Sequence, residues 1–95
     1  MNQLILTASI EEVSALRYTP AGLPALNLTL NHASVVKEAG MSRQVNVSVK
    51  ALAIGSVAEA IGKQALGSSW RFKGFLGAAL RGKNVVFHIQ DFSQI

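Results

Sequence analysis

Between residues 43 and 51, Val45, Val47 and Val49 fall on one side of an extended backbone, with Gln44, Asn46, Ser48 and Lys50 on the other. A period of two marks a half-buried β-strand, and β-branched side chains suit its pleated surface. Residues 25–35 read the same way, with Leu26, Leu28 and Leu30 apolar and Asn27, Thr29 and Asn31 polar. Residues 3–17 alternate more loosely through Leu4, Leu6, Ile10, Val13 and Leu16, which predicts a long first strand bent near Ala8 and Ser9. Residues 68–76 set Trp70 and Phe72 against Arg71 and Lys73, and residues 84–92 set Val85, Phe87 and Ile89 against His88 and Gln90.

The breaks between these runs are equally legible. Two prolines and a glycine within Tyr18-Thr19-Pro20-Ala21-Gly22-Leu23-Pro24 mark a loop, and Lys37-Glu38-Ala39-Gly40 marks a connection. Residues 78–83, with Gly82, form a small basic connection. One short helix is expected within residues 55–63, ending near Gly62. Ser56 and Glu59 have the spacing of a capping box, and Val57 and Ile61 lie one turn apart. Gly74 interrupts the fourth strand, where Phe75 would otherwise point outward. A glycine there suggests a bulge that resets the alternation. The order strand, strand, strand, helix, strand, strand is that of an all-β, five-stranded Greek-key OB-fold barrel, with the helix between its third and fourth strands. Trp70, Phe72, Phe75, Phe87 and Phe92 then all take inward or barrel-closing positions.

At 95 residues the chain makes one domain, spanning 1–95, with no repeat or linker. So small a core would gain from oligomerisation. Nine Lys and Arg against five Asp and Glu leave a net charge of +4, which favours polyanionic partners without naming one. The absence of cysteine removes disulfides, thiolate catalysis and Cys-ligated zinc, and fits a reducing, cytoplasmic setting. The N-terminal segment has neither a basic region nor a long apolar one, and no run approaches membrane-spanning length.

Catalysis finds little support. His32 and His88 have no Asp, Glu or Cys at a metal-ligand spacing, so both read as structural or solvent-facing. There is no nucleophile elbow and no phosphate loop. Glu11 and Glu12, adjacent on a strand, are expected on opposite faces. No catalytic residue, metal or cofactor is expected.

The basic residues are better organised. Arg17 and Tyr18 open the first loop; Arg43 and Lys50 flank the polar face of the third strand, which also carries Asn46. Arg71 and Lys73 project from one face of the fourth strand, and Arg81 and Lys83 sit on the following loop. An OB barrel takes oligonucleotides on its second and third strands, between the loops 1–2 and 4–5. These side chains therefore fall where phosphates would lie, with Tyr18 the one ring expected to stack on a base. The reading requires the cations of the third and fourth strands to share a common outer surface. The binding it implies is electrostatic, salt-sensitive and rather weak.

The stretch His32-Ala33-Ser34-Val35-Val36-Lys37-Glu38-Ala39-Gly40-Met41-Ser42-Arg43-Gln44 resembles the primosomal replication protein N (PriB) family, relatives of bacterial single-stranded DNA-binding proteins. The pattern H-x-S, E-A-G, R-Q carries the resemblance. Asn2-x-Leu4-x-Leu6, Pro20-x-Gly22-x-Pro24 and Gly74-Phe75 support it. The resemblance implies a homodimer of OB barrels that binds single-stranded DNA. It further implies stabilisation of the restart helicase PriA on DNA and help in bringing in the helicase-loading protein. Tight-binding members carry arginine where this chain has Ala33, tryptophan where it has Asn46, and a longer, lysine-rich loop where it has Arg81 and Lys83. These departures predict a weaker single-strand binder that relies more on protein contacts. The alternative is a protein-interaction OB module with incidental nucleic-acid affinity. A general coating protein fits less well, because no acidic tail follows the last strand.

Overall fold

The structure is a computed structural model describing residues 1–79, 82 and 84–95. Its elements are β1 (Leu4–Val13), β2 (Arg17–Tyr18), β3 (Pro24–Glu38), β4 (Met41–Ile54), α1 (Ser56–Gly62), β5 (Ser69–Ala78) and β6 (Val85–Ser93). Neighbouring strands run β1, β5, β6, β4, β3, and β1 also pairs with β3, so five strands close into a barrel. The two-residue β2 lies against β3 outside that circuit. This is the OB fold expected from the strand order.

The core follows the alternation. Ile10, Leu26, Leu30, Phe72 and Phe87 are fully buried, and Ala58 and Ile61 turn the apolar side of α1 into the same cluster. Burial of each large side chain contributes about 1.5–3 kcal/mol relative to exposure. Trp70 and Phe92 meet edge to face at 5.1 Å, and Phe72 stacks on Phe92 at 6.1 Å.

Three local expectations are revised. β1 ends at Val13, and its irregularity lies between Ile10 and Glu12 rather than near Ala8. There it leaves β5 for β3, with Ser9 paired to both Ser69 and Asn31. The helix is capped by Gly55, not Ser56. Ser56 already lies in the first turn, where its hydroxyl makes no capping bond.

The third revision concerns β3 and β4. Their ladder runs without interruption from Ala25 opposite Ile54 to Glu38 opposite Met41. The two-residue turn is Ala39-Gly40, both with positive φ (53° and 77°), as tight hairpins that match strand twist require. Other strands do not follow so far. β1 pairs with β3 only from Asn31 to Leu28, and β6 pairs with β4 only from Ala51 to Ala53. The far half of the hairpin is therefore an arm projecting from the barrel. Val45 and Val47, expected to fill the barrel, lie on this arm instead; Val47 is 44% exposed, and Val35 and Met41 are 67% and 71% exposed.

Candidate nucleic-acid interface

Even-numbered residues of β4 and odd-numbered residues of β3 share the outer face of the hairpin. Opposite pairs there are Asn27–Leu52, Thr29–Lys50, Asn31–Ser48 and Ala33–Asn46. The Arg17 guanidinium donates to Asn27 Oδ1 at 2.7 Å, and Lys50 Nζ donates to Thr29 Oγ1 at 3.2 Å. Asn31 Nδ2 donates to Asn46 Oδ1 at 3.1 Å. Arg17, Asn46 and Lys50 thus lie on one polar surface. Beside Lys50 it deepens into an open cleft of about 390 Å³ bordered by Glu12, Asn27, Thr29 and Lys50.

Two carboxylates join this surface, contrary to expectation. The bulge in β1 abolishes simple alternation at Glu11. Ser48 Oγ donates to Glu11 Oε2 at 3.4 Å, while Glu12 pairs with Thr29 and borders the cleft. Glu11 and Glu12 therefore approach the same face, opposing the charges of Arg17 and Lys50.

The remaining expected residues are dispersed. Arg43 sits on the other face of β4, at the tip of the arm, and its guanidinium lies 2.7 Å from the Glu38 carboxylate. Seven residues separate it from Lys50, an odd number, so the two cannot share a strand face. Tyr18 is 67% exposed on β2, next to Arg17. Arg71 and Lys73 are exposed on β5, opposite Thr7 and Ile5 of β1 on one side and Ser93 and Asp91 of β6 on the other. β6 lies between β5 and β4 one way round the barrel, and β1 and β3 lie between them the other way, so Lys73 and Lys50 stand on non-adjacent strands. Arg81 and Lys83 lie outside the described residues.

One aromatic is also reassigned. β5 carries no extra residue: Gly74 and Leu76 lie opposite the buried Ile89 and Phe87, so Phe75, opposite His88, stands on the outer face, where it is half-buried, while Leu76 at the barrel's end is 43% exposed. The register shift is real, but the extra residue is in β6, where Lys73 pairs with Asp91 and Gly74 with Ile89, leaving Gln90 over. Phe75 stacks on its cross-strand partner His88, centroids 4.7 Å apart and planes 10° apart. Sequence reasoning missed this pair by assigning the bulge to the glycine-bearing strand; strict alternation through Gly74 would have found it.

The comparisons bear on the same chain. A family described as "another single-strand binding protein family" matches residues 2–91. The replication restart protein PriB of Bordetella pertussis is 42% identical over 96 aligned residues, covering 100% of this chain and 90% of that protein. The chain belongs to the PriB family. The protein of that name from Nitrosomonas europaea is 36% identical over 91 residues, covering 95% of this chain and 84% of its own. The PriB structure from Ralstonia solanacearum superposes with a TM-score of 0.89 at 37% identity, covering 99% of this chain and 97% of that one. The single-stranded DNA-binding protein of Thermus aquaticus matches with a TM-score of 0.78 at 24% identity, covering 100% of this chain and 50% of that one, a likeness of fold alone.

The residues that carry the PriB resemblance build the arm. His32 Nδ1 donates to the Thr7 carbonyl at 2.6 Å, which leaves Nε2 to accept the Ser34 hydroxyl at 2.9 Å in the neutral ring. That pins the arm's base to β1. Glu38-Ala39-Gly40 makes its turn, and Arg43 clamps Glu38 across it. Asn2 does similar work at the N-terminus, where its amide exchanges two hydrogen bonds with the Leu76 backbone at 2.7 and 2.9 Å. Among the described residues no cluster of metal-ligating side chains occurs, and no helix is long and apolar enough to cross a membrane.

Proposed function

We propose that this chain is a non-enzymatic, single-stranded DNA-binding accessory protein of the replication-restart primosome, bridging DNA and the restart helicase PriA. The observation that carries the reading is the polar outer face of β3 and β4, where Arg17, Asn27, Asn46 and Lys50 occupy the oligonucleotide-binding position of an OB barrel. Membership of the PriB family supports the role in restart. The reading includes a homodimer in a cytoplasmic, helicase-loading context. Arg71, Lys73, Arg81, Lys83 and Tyr18 are secondary contacts, and Arg43 makes the least, its charge being engaged by Glu38.

Binding is expected to be weak, because Glu11 and Glu12 offset much of the positive charge at the groove. The decisive experiment is a salt-dependent titration against single- and double-stranded oligonucleotides. Single strands should bind more tightly, with log K falling linearly against log salt. The double variant Arg17→Ala, Lys50→Ala should flatten that slope by about 0.7 for each cation removed. An unchanged slope would place the phosphates elsewhere.

The exposed valines of the arm favour a second reading, a protein-interaction module with incidental DNA affinity. It predicts that a helicase partner is retained equally with and without DNA, and that the double variant leaves that retention intact.

A further inference from the structure

On the outer face of β4, Leu52 and Ile54 follow Lys50 at two-residue intervals, and Leu52 lies level with His88 of the parallel strand β6. Next across the sheet comes Phe75. Together with Val57 and Gln90 these residues line an open cleft of about 340 Å³. Phe75 and His88 are each half-buried, so part of each ring meets solvent.

The pair is built rather than incidental. A Cβ on Gly77 would sit 2.7 Å from His88 Nε2, so the imidazole lies directly over the Gly77 backbone. A Cβ on Gly74 would come within 1.8 Å of the His88 carbonyl oxygen. Two glycines of β5 thus leave room for β6 to bring His88 against Phe75.

We propose that Phe75 and His88 form a base-stacking platform for a single-stranded nucleic acid whose backbone follows the β3–β4 groove. This rests on the DNA-binding reading above and adds the site that reading lacks, a place for the bases. Three observations select nucleic acid as the occupant. The cleft continues the polar groove, since Leu52 adjoins Lys50 on one strand and faces Asn27, the partner of Arg17, on the next. Lys73 precedes Phe75 by two residues on the same outer face, so the platform lies between Lys73 and Lys50, which stand on non-adjacent strands. Gln90, freed from pairing by the bulge, places an amide at the cleft that can donate to and accept from a base edge. Sequence-tolerant stacking of this kind is the usual complement to a charged track in single-strand binders.

The test compares full-length protein and its Phe75 variants on two oligomers of equal length and charge, oligo(dT) and a strand of abasic sites. Phe75→Leu keeps the apolar packing but removes the ring, and Phe75→Tyr keeps the ring. Phe75→Leu should weaken oligo(dT) binding about tenfold, the order expected for one stacked base, with the abasic strand and the salt slope unaffected. Phe75→Tyr should restore oligo(dT) binding. Thermal melting of Phe75→Leu close to wild type excludes unfolding as the cause. Wild-type affinity in Phe75→Leu, or equal loss on both oligomers, overturns the platform while leaving the DNA-binding reading in place. If the wild-type protein binds neither oligomer, both readings fall together.

Discussion

Ala39 holds a left-handed backbone, φ 53°, at the tip of the arm, where a Cβ is disfavoured. Asparagine tolerates that conformation far better and commonly precedes glycine in such turns. Ala39→Asn should therefore raise stability by about 0.5–1 kcal/mol, read as a higher urea midpoint at unchanged m-value. No gain would mean that the turn relaxes in solution away from this geometry. Single residues also account for the least legible parts of the site. Nothing local in Glu11-Glu12 announces that both carboxylates reach the groove. Their placement depends on one bulged position, where β1 changes partner.

Among the elements, β5 and β6 carry the sharpest constraint. The Gly74 backbone approaches β6 so closely that a methyl group would overlap the His88 carbonyl. Gly74→Ala should cost at least about 2 kcal/mol by forcing the strands apart at the bulge. A melting temperature within a degree of wild type would show that the bulge shifts freely. The strands were readable because alternation is a local consequence of one buried face, and all five lie within a few residues of their expected places. Where a strand's inner face actually points was not so readable. Val45 and Val47 alternate as cleanly as Leu28 and Leu30, yet only the latter meet a barrel interior, because β1 and β6 do not extend along the arm.

For the whole molecule, that arm raises the question of what covers it. Among the described residues the first half of β1 pairs with β5 alone and its other edge carries no strand, while Ile5 and the arm's Val35, Val36, Met41 and Val47 remain exposed. Unpaired edges and exposed apolar faces are surfaces on which subunits associate. Light scattering at micromolar concentration should accordingly give twice the 10.1 kDa mass of one chain. Val47→Glu should shift the protein toward monomer if the arm takes part. A monomer in the wild type would refute the homodimer.

Alternation, turn residues and the short amphipathic helix determined the OB barrel and its order from the sequence alone, because each is set by contacts within a few residues. The sequence also carried the family, through His32, Ser34, Glu38, Gly40 and Arg43. Only the tertiary structure decided which charges meet. Closure of β1 onto β3 brings Glu11 and Glu12 to the face that holds Arg17 and Lys50, and strand order separates Lys73 from Lys50. It likewise decided that Phe75 stacks on His88 outside the barrel, since the strand that bulges is fixed by pairing across the sheet. Such pairings join residues distant in the chain, and no local pattern encodes them.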